Sequence, residues 1–392
     1  MKVLGIISGT SYDAVEVAAA ELYFEEEAIV MRPLGSKSVE YDPELRSEIA
    51  GMLPPATTSA EAVCRLDTGL GQAFAAAAEE AAREFCDGRA DLIASHGQTV
   101  FHWVEDGRAR GTLQLGQPAW IAELTGSPVV SDLRSRDVAA GGQGAPLVSL
   151  FDVLLLESGA QTRAALNLGG IANLTVVPEN GDPFAFDVGP ANALIDAAVE
   201  HLSGGAETYD EGGERAARGS VHPGLLHRLL EEPYFDHAPP KSTGKEYFNL
   251  PFLLGHLEAF EGLEDDDVVA TATALTAETV ARDLRRYDVE EVVASGGGTS
   301  NPTLMGMLRS RVPEVEIRPI EARGIPSESK EAYAFAVLGF LTINGVTGAV
   351  PDCTGATHAT VLGNITPGRK RLVLPEPPTG DPRKLRLMST GG

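Results

Sequence analysis

Three short glycine-rich stretches carry the residues best suited to chemistry. They are "SGTS" (Ser8 to Ser11), "DVGPAN" (Asp187 to Asn192) and "SGGGTSN" (Ser295 to Asn301), each following an apolar run that reads as a β-strand. Glycine lacks a Cβ, so such turns bring backbone N–H groups close to phosphate oxygens. In the second stretch the carboxylate of Asp187 stands at a strand end and a helix N-terminus follows. That juxtaposes a base, or a group that orders Mg²⁺, with a site favourable to anions. One such turn alone reads as an ordinary strand–turn–helix connection; three in one chain point to nucleotide binding. Other phosphate fingerprints fail. "KSTGKE" (Lys241 to Glu246) ends like a P-loop but lacks the upstream glycine and strand, and "SGGGTSN" has Ser300 where a dinucleotide motif needs its third glycine.

The elements that must position these turns follow from periodicity. Val3 to Ile7, Val15 to Leu22 and Ile29 to Val39 read as a hairpin and a third strand, and a helix follows with Leu66, Leu70, Phe74 and Ala78 near one face. Further on come strands at Asp91 to Ser95, Thr112 to Leu115 and Pro128 to Ser131, with helices opening at Pro118 and Leu147. From Arg163 the opening pattern returns: strand, small-residue turn "LGGIAN", strand, a third strand "PFAFDV" and the helix "NALIDAAVEHL". After a polar stretch, 203–260, the chain resumes with a helix near 268–287, the strand "EEVVAS", the strand "VEIRPI" and the helix "SKEAYAFAVLGFLTING". Strands alternating with helices imply parallel or mixed sheets covered by helices. The repeat implies two similar α/β domains, expected at 1–160 and 161–369, with a substrate-side insertion at 203–260 and a loose tail at 370–392.

Bulk properties narrow the function classes. The chain has 392 residues and a net charge of −25, which argues against binding nucleic acid or an anionic membrane surface. Backbone amides and Mg²⁺ still hold phosphates on an acidic protein. Cys64, Cys86 and Cys353 are too scattered for a disulfide framework or a zinc site. No apolar run approaches a membrane span, and the cytoplasm is the expected compartment.

The residues also carry a resemblance. The blocks "SGTSYDAVEVA", "SHGQTVFH", "TLQLGQ", "SDLRSRDVAAGGQGAPLV", "LNLGGIANLT", "FDVGPANALIDA", "PPKSTGKEYFN", "ASGGGTSNPTLM" and "SKEAYAFA" stand in the order found in the anhydro-N-acetylmuramic acid kinases. These are a branch of the actin/hexokinase/heat-shock-70 ATPase superfamily, and the match runs to about Arg369. The resemblance implies two related domains of the actin-like ATPase (ribonuclease H-like) fold with an interdomain nucleotide cleft. It implies ATP and Mg²⁺ as cofactors, and conversion of 1,6-anhydro-N-acetylmuramic acid and water to N-acetylmuramic acid 6-phosphate in peptidoglycan recycling. Asp187 matches the family's catalytic base. Gly9, Thr10, Ser11 and Asp13 match its N-terminal nucleotide loop; Gly169, Gly170 and Gly189 match phosphate turns, and Gly296, Gly297, Gly298 and Asn301 the adenosine-side turn. Asp13 either holds Mg²⁺ through water or caps its turn. Glu331 matches a carboxylate near the sugar. Arg134, Arg136 and Asp137 either reach the lactyl carboxylate or form a structural cluster, and His96 either lines the cleft or satisfies a loop.

Tyr12, Ala14, Glu16 and Ala191 depart from the family pattern and leave the preferred anhydrosugar open. A kinase for an ordinary sugar or alcohol in the same fold, and an actin- or chaperone-like ATPase, are the competing readings. The implied partner is a small anhydrosugar, and a homodimer is left open.

Overall fold

Alternating small and apolar residues between Lys2 and Glu40 form an antiparallel meander, β1 (Lys2–Ser8), β2 (Ala14–Glu25) and β3 (Ala28–Glu40). Beside β1 runs β4 (Leu92–Glu105) in parallel; it pairs with β5 (Arg108–Leu115) as a hairpin and with β6 (Val129–Ser131) in parallel. The same meander recurs as β7 (Arg163–Leu168), β8 (Ile171–Val177) and β9 (Phe184–Pro190). Parallel to β7 runs β10 (Glu291–Ser295), and parallel to that β11 (Glu316–Pro319). Two late strands, β12 (Asn364–Thr366) and β13 (Lys384–Leu387), extend the first sheet by pairing with β6 and β3. These assignments come from a computed structural model that describes residues 1–9, 12–157 and 159–388.

The two sheets repeat one strand order. The first contains the run β3-β2-β1-β4-β6 and the second reads β9-β8-β7-β10-β11, and within each run only the second strand in chain order is antiparallel to the rest. This is the ribonuclease H-like order, used twice as the resemblance implied. In the first sheet β1 alternates its faces. Leu4 and Ile6 pack with Leu66, Leu70 and Phe74 of the helix Ala60–Phe85, whose N-terminus Ser59 caps by accepting from the Ala62 N–H at 3.1 Å. Gly5 points the other way, onto the helix Lys330–Ile343: a Cβ there would stand 1.8 Å from the Ala332 carbonyl oxygen.

That contact moves the expected domain boundaries. The units are Met1–Glu157 with Gly324–Gly392, and Ser158–Arg323, not 1–160 and 161–369. The chain returns to its first unit because the apolar helix Lys330–Ile343 covers β1, β2 and β4. Nor is 370–392 simply loose: β13 zips in parallel onto β3, and Leu385 is buried. In the second unit the stretch 203–260 sends several side chains into the core, though most of its residues are half-buried or exposed. Phe235, Phe248 and Leu253 join Leu194, Val199 and Val269 in one buried cluster. Among the described residues, no helix is long and apolar enough to cross a membrane.

Candidate functional site

In the first unit the end of β1 leads into the nucleotide-loop stretch. Thr10 and Ser11 lie outside the described residues. Ser8 donates through Oγ to Gln98 Oε1, and Gln98 Nε2 donates to the Gly9 carbonyl at 3.3 Å, so β4 fixes the start of the turn. A Cβ on Gly9 would meet nothing within 4 Å, so packing does not demand glycine there. Asp13 pairs with Arg46 of the helix Pro43–Met52. Tyr12, at φ +43°, turns its side chain against the buried cluster of this unit.

A cavity of about 660 Å³ in this unit is lined by Gly9, Asp13, Glu16, Glu328 and Glu331, among others. Burial pushes the Glu16 carboxyl above its ordinary pKa, and Glu328 adds to the rise. Glu331 opens onto the cavity while protein crowds it elsewhere; that crowding raises its pKa against the pull of Arg134 and Lys330. Arg134 is itself oriented by a buried histidine. Its Nε–H donates to His96 Nε2 at 2.8 Å and Nη1 donates to the Gly144 carbonyl at 2.6 Å. A guanidinium only donates, so His96 Nε2 must be the acceptor and the ring proton sits on Nδ1, which donates to the Gly97 carbonyl at 2.8 Å. Burial and the neighbouring Arg134 push the His96 pKa down to about 3.

Asp137 belongs to the same unit. It is fully buried; its oxygens accept from the Gly144 N–H and the Thr354 hydroxyl, both at 2.7 Å, which locks the "AGGQG" loop. These bonds are of the kind that the structural-cluster alternative expected. Arg136 is exposed.

In the second unit, three expected turns lie side by side. The carbonyls of Gly169 and Gly170 accept from the N–H groups of Ala191, Asn192 and Ala193 at 3.0 to 3.1 Å. The first amides of the helix Asn192–Leu202 are therefore already bonded, contrary to the expectation of a free anion-binding N-terminus. Gly189 sits in β9 opposite Ala172. Ala191 is fully buried in the core, so its methyl packs inward. Gly296, at φ +90°, crosses the end of β7: a Cβ would stand 2.7 Å from the Leu168 carbonyl carbon. Gly297 and Gly298 continue this turn in a short 3₁₀ segment. Asn301 is buried and caps the helix Pro302–Arg311, accepting the Leu304 N–H at 2.9 Å. Its side-chain oxygen thus serves the fold.

Asp187 stands in the middle of β9, which runs on past it to Pro190, not at the strand end expected from sequence, and both polar groups of its backbone are bonded. Its N–H donates to the Lys241 carbonyl at 3.0 Å and its carbonyl accepts from the Tyr234 hydroxyl at 2.8 Å. Carboxylate oxygen Oδ2 accepts from Ser242 Oγ and the Thr243 N–H, both at 3.0 Å. Burial raises its pKa; the bonds from Thr243 and Ser242 oppose the rise, Glu246 adds to it and Lys241 opposes it. In sequence "KSTGKE" shows only as a failed P-loop within the substrate-side insertion, with no sign of its bonds to the carboxylate. Among the described residues, no three His, Cys, Asp or Glu side chains group as a metal site.

Blocks matching one kinase family thus fall on one duplicated fold. The sequence profile described as "AnmK: Anhydro-N-acetylmuramic acid kinase" matches residues 1–368. The chain belongs to that family. Anhydro-N-acetylmuramic acid kinases similar to it include that of Streptomyces coelicolor, 60% identical over 99% of each chain. That of Rhodococcus erythropolis is 54% identical over 95% of this chain and 96% of its own. A third, from Caldanaerobacter subterraneus, is 40% identical over 93% and 96%. As a member of the anhydro-N-acetylmuramic acid kinase family the protein is a sugar phosphotransferase that uses ATP.

Proposed function

We propose that this protein opens 1,6-anhydro-N-acetylmuramic acid with water and phosphorylates the freed O6 from ATP, with Asp187 as the base. The observation that carries the reading is Asp187 itself: a carboxylate held by its neighbours through one oxygen, with a pKa raised by burial. Asp187 takes a proton from water as the water oxygen bonds to C1. The C1–O6 bond breaks with its electron pair on O6, which attacks the γ-phosphorus in line and releases ADP. The N-acetylmuramic acid 6-phosphate formed retains the water oxygen at C1.

Other residues bind and orient. The N–H groups of Gly169 and Gly170 carry no hydrogen bond among the described residues and suit phosphate oxygens. Arg134, fixed by neutral His96, presents the rest of its fork to the lactyl carboxylate, and Glu331 accepts from a sugar hydroxyl. Asp13 offers Mg²⁺ the oxygen donor it prefers, beside Gly9 on the cavity wall. It would hold the ion through water once released from Arg46, and the ion would neutralise phosphate charge.

Replacing Asp187 by Asn is expected to lower kcat by about 10²- to 10⁴-fold while leaving ATP affinity, read by calorimetry, within a few-fold. Full turnover in that variant would remove Asp187 from the role.

A further inference from the structure

The base reading leaves unexplained why one short segment bonds Asp187 three times. Lys241 takes its N–H, Ser242 its carboxylate and Thr243 its carboxylate again. Both carboxylate bonds fall on Oδ2, and Oδ1 accepts none from the described residues. Two donors on one oxygen stop the carboxylate from rotating and leave the other oxygen as the proton acceptor. The segment is anchored at its first residue: the Lys241 ammonium is enclosed, 4.9 Å from the Tyr234 ring centre and 5.6 Å from that of Phe186, and 3.9 Å from Asp283 Oδ2. Tyr234 reaches back to the Asp187 carbonyl, so the anchor and the base share one support.

We infer that Ser242 is a positioning residue for the reaction: with the Thr243 amide it pins Asp187 Oδ2, so that Oδ1 is the atom that takes the proton from water. The inference rests on Asp187 being the base. Three ionisable groups also act on that carboxylate: Lys241 from the same segment favours its charged form, Glu246 from the segment's end disfavours it, and Tyr234 adjoins its backbone. A hydrogen bond to the charged form favours ionisation, so the Ser242 hydroxyl holds Asp187 ionised to lower pH than burial alone would allow. It does so without touching substrate.

The test is the pH profile of kcat/KM for 1,6-anhydro-N-acetylmuramic acid at saturating ATP, for the intact protein and for Ser242→Ala, Ser242→Thr and Asp187→Asn. In Ser242→Ala the acid limb is expected to move up by about one pH unit, with the loss of kcat/KM greater at low pH than on the plateau. Ser242→Thr keeps a hydroxyl and is expected to return the limb. Should Ser242→Ala not fold, Ser242→Gly reads the same limb. A limb that stays in place in the hydroxyl-free variant, with Asp187→Asn inactive, overturns the role of Ser242 and leaves the base standing. An active Asp187→Asn overturns the base and this inference with it.

Discussion

At the scale of single residues, His96 and Arg134 show how hydrogen-bond direction settles charge. Because Arg134 can only donate, His96 must accept at Nε2 and keep its proton at Nδ1. A depressed folded-state pKa means that neutral His96 contributes stability above its ordinary value, lost as pH falls from 6.5 toward about 3. Nitrogen NMR of labelled protein is expected to show His96 neutral with Nδ1 protonated at pH 5; an imidazolium signal there would contradict the pairing. Asp187 stood out in sequence because "DVGP" puts an acid beside a glycine at the close of an apolar run, although β9 continues past it to Pro190. Ser242 and Thr243 were not, since 55 residues separate Ser242 from Asp187 and only folding brings them together. The hydrogen bonds of Asp137 and Asn301 were hidden for a related reason. Polar residues in glycine-rich loops serve caps and ligands equally well, and sequence does not say whose N–H groups they accept.

At the scale of elements, close approach between helix and sheet sets the architecture. Gly5 lets the helix Lys330–Ile343 lie directly on β1. Gly5→Ala is expected to destabilise the protein by about 1–3 kcal/mol, the usual cost of overpacking, measured by urea unfolding; an unchanged midpoint would mean that the helix does not rest there. Removal of residues 383–388 is expected to lower Tm by several degrees, because β3 loses one of its two partner strands and the buried Leu385 goes with it. The meander repeat could be read from sequence because the strand, small-residue turn, strand pattern recurs intact. The return of the last helix could not: an apolar helix fits either sheet, and a four-residue strand such as β13 carries too little pattern to reveal its partner. The long β4–β5 hairpin was also obscured, since Phe101, Trp103 and Val104 are exposed apolar residues that blur the alternation.

At the scale of the molecule, one strand order used twice supplies two sets of turns to an acidic chain, whose net charge is −25. Phosphate recognition on such a protein has to come from backbone amides and local cations rather than from a basic surface. Coupling of water addition to phosphoryl transfer is the central claim, and it separates this activity from phosphorylation of an ordinary hydroxyl. The direct measurement is mass spectrometry of the product made in oxygen-18 water, quenched before the C1 hydroxyl exchanges with solvent. The account predicts a ring-opened 6-phosphosugar carrying one solvent oxygen at C1 and none in the transferred phosphoryl group. A phosphorylated product with its anhydro ring intact and no solvent oxygen would contradict it.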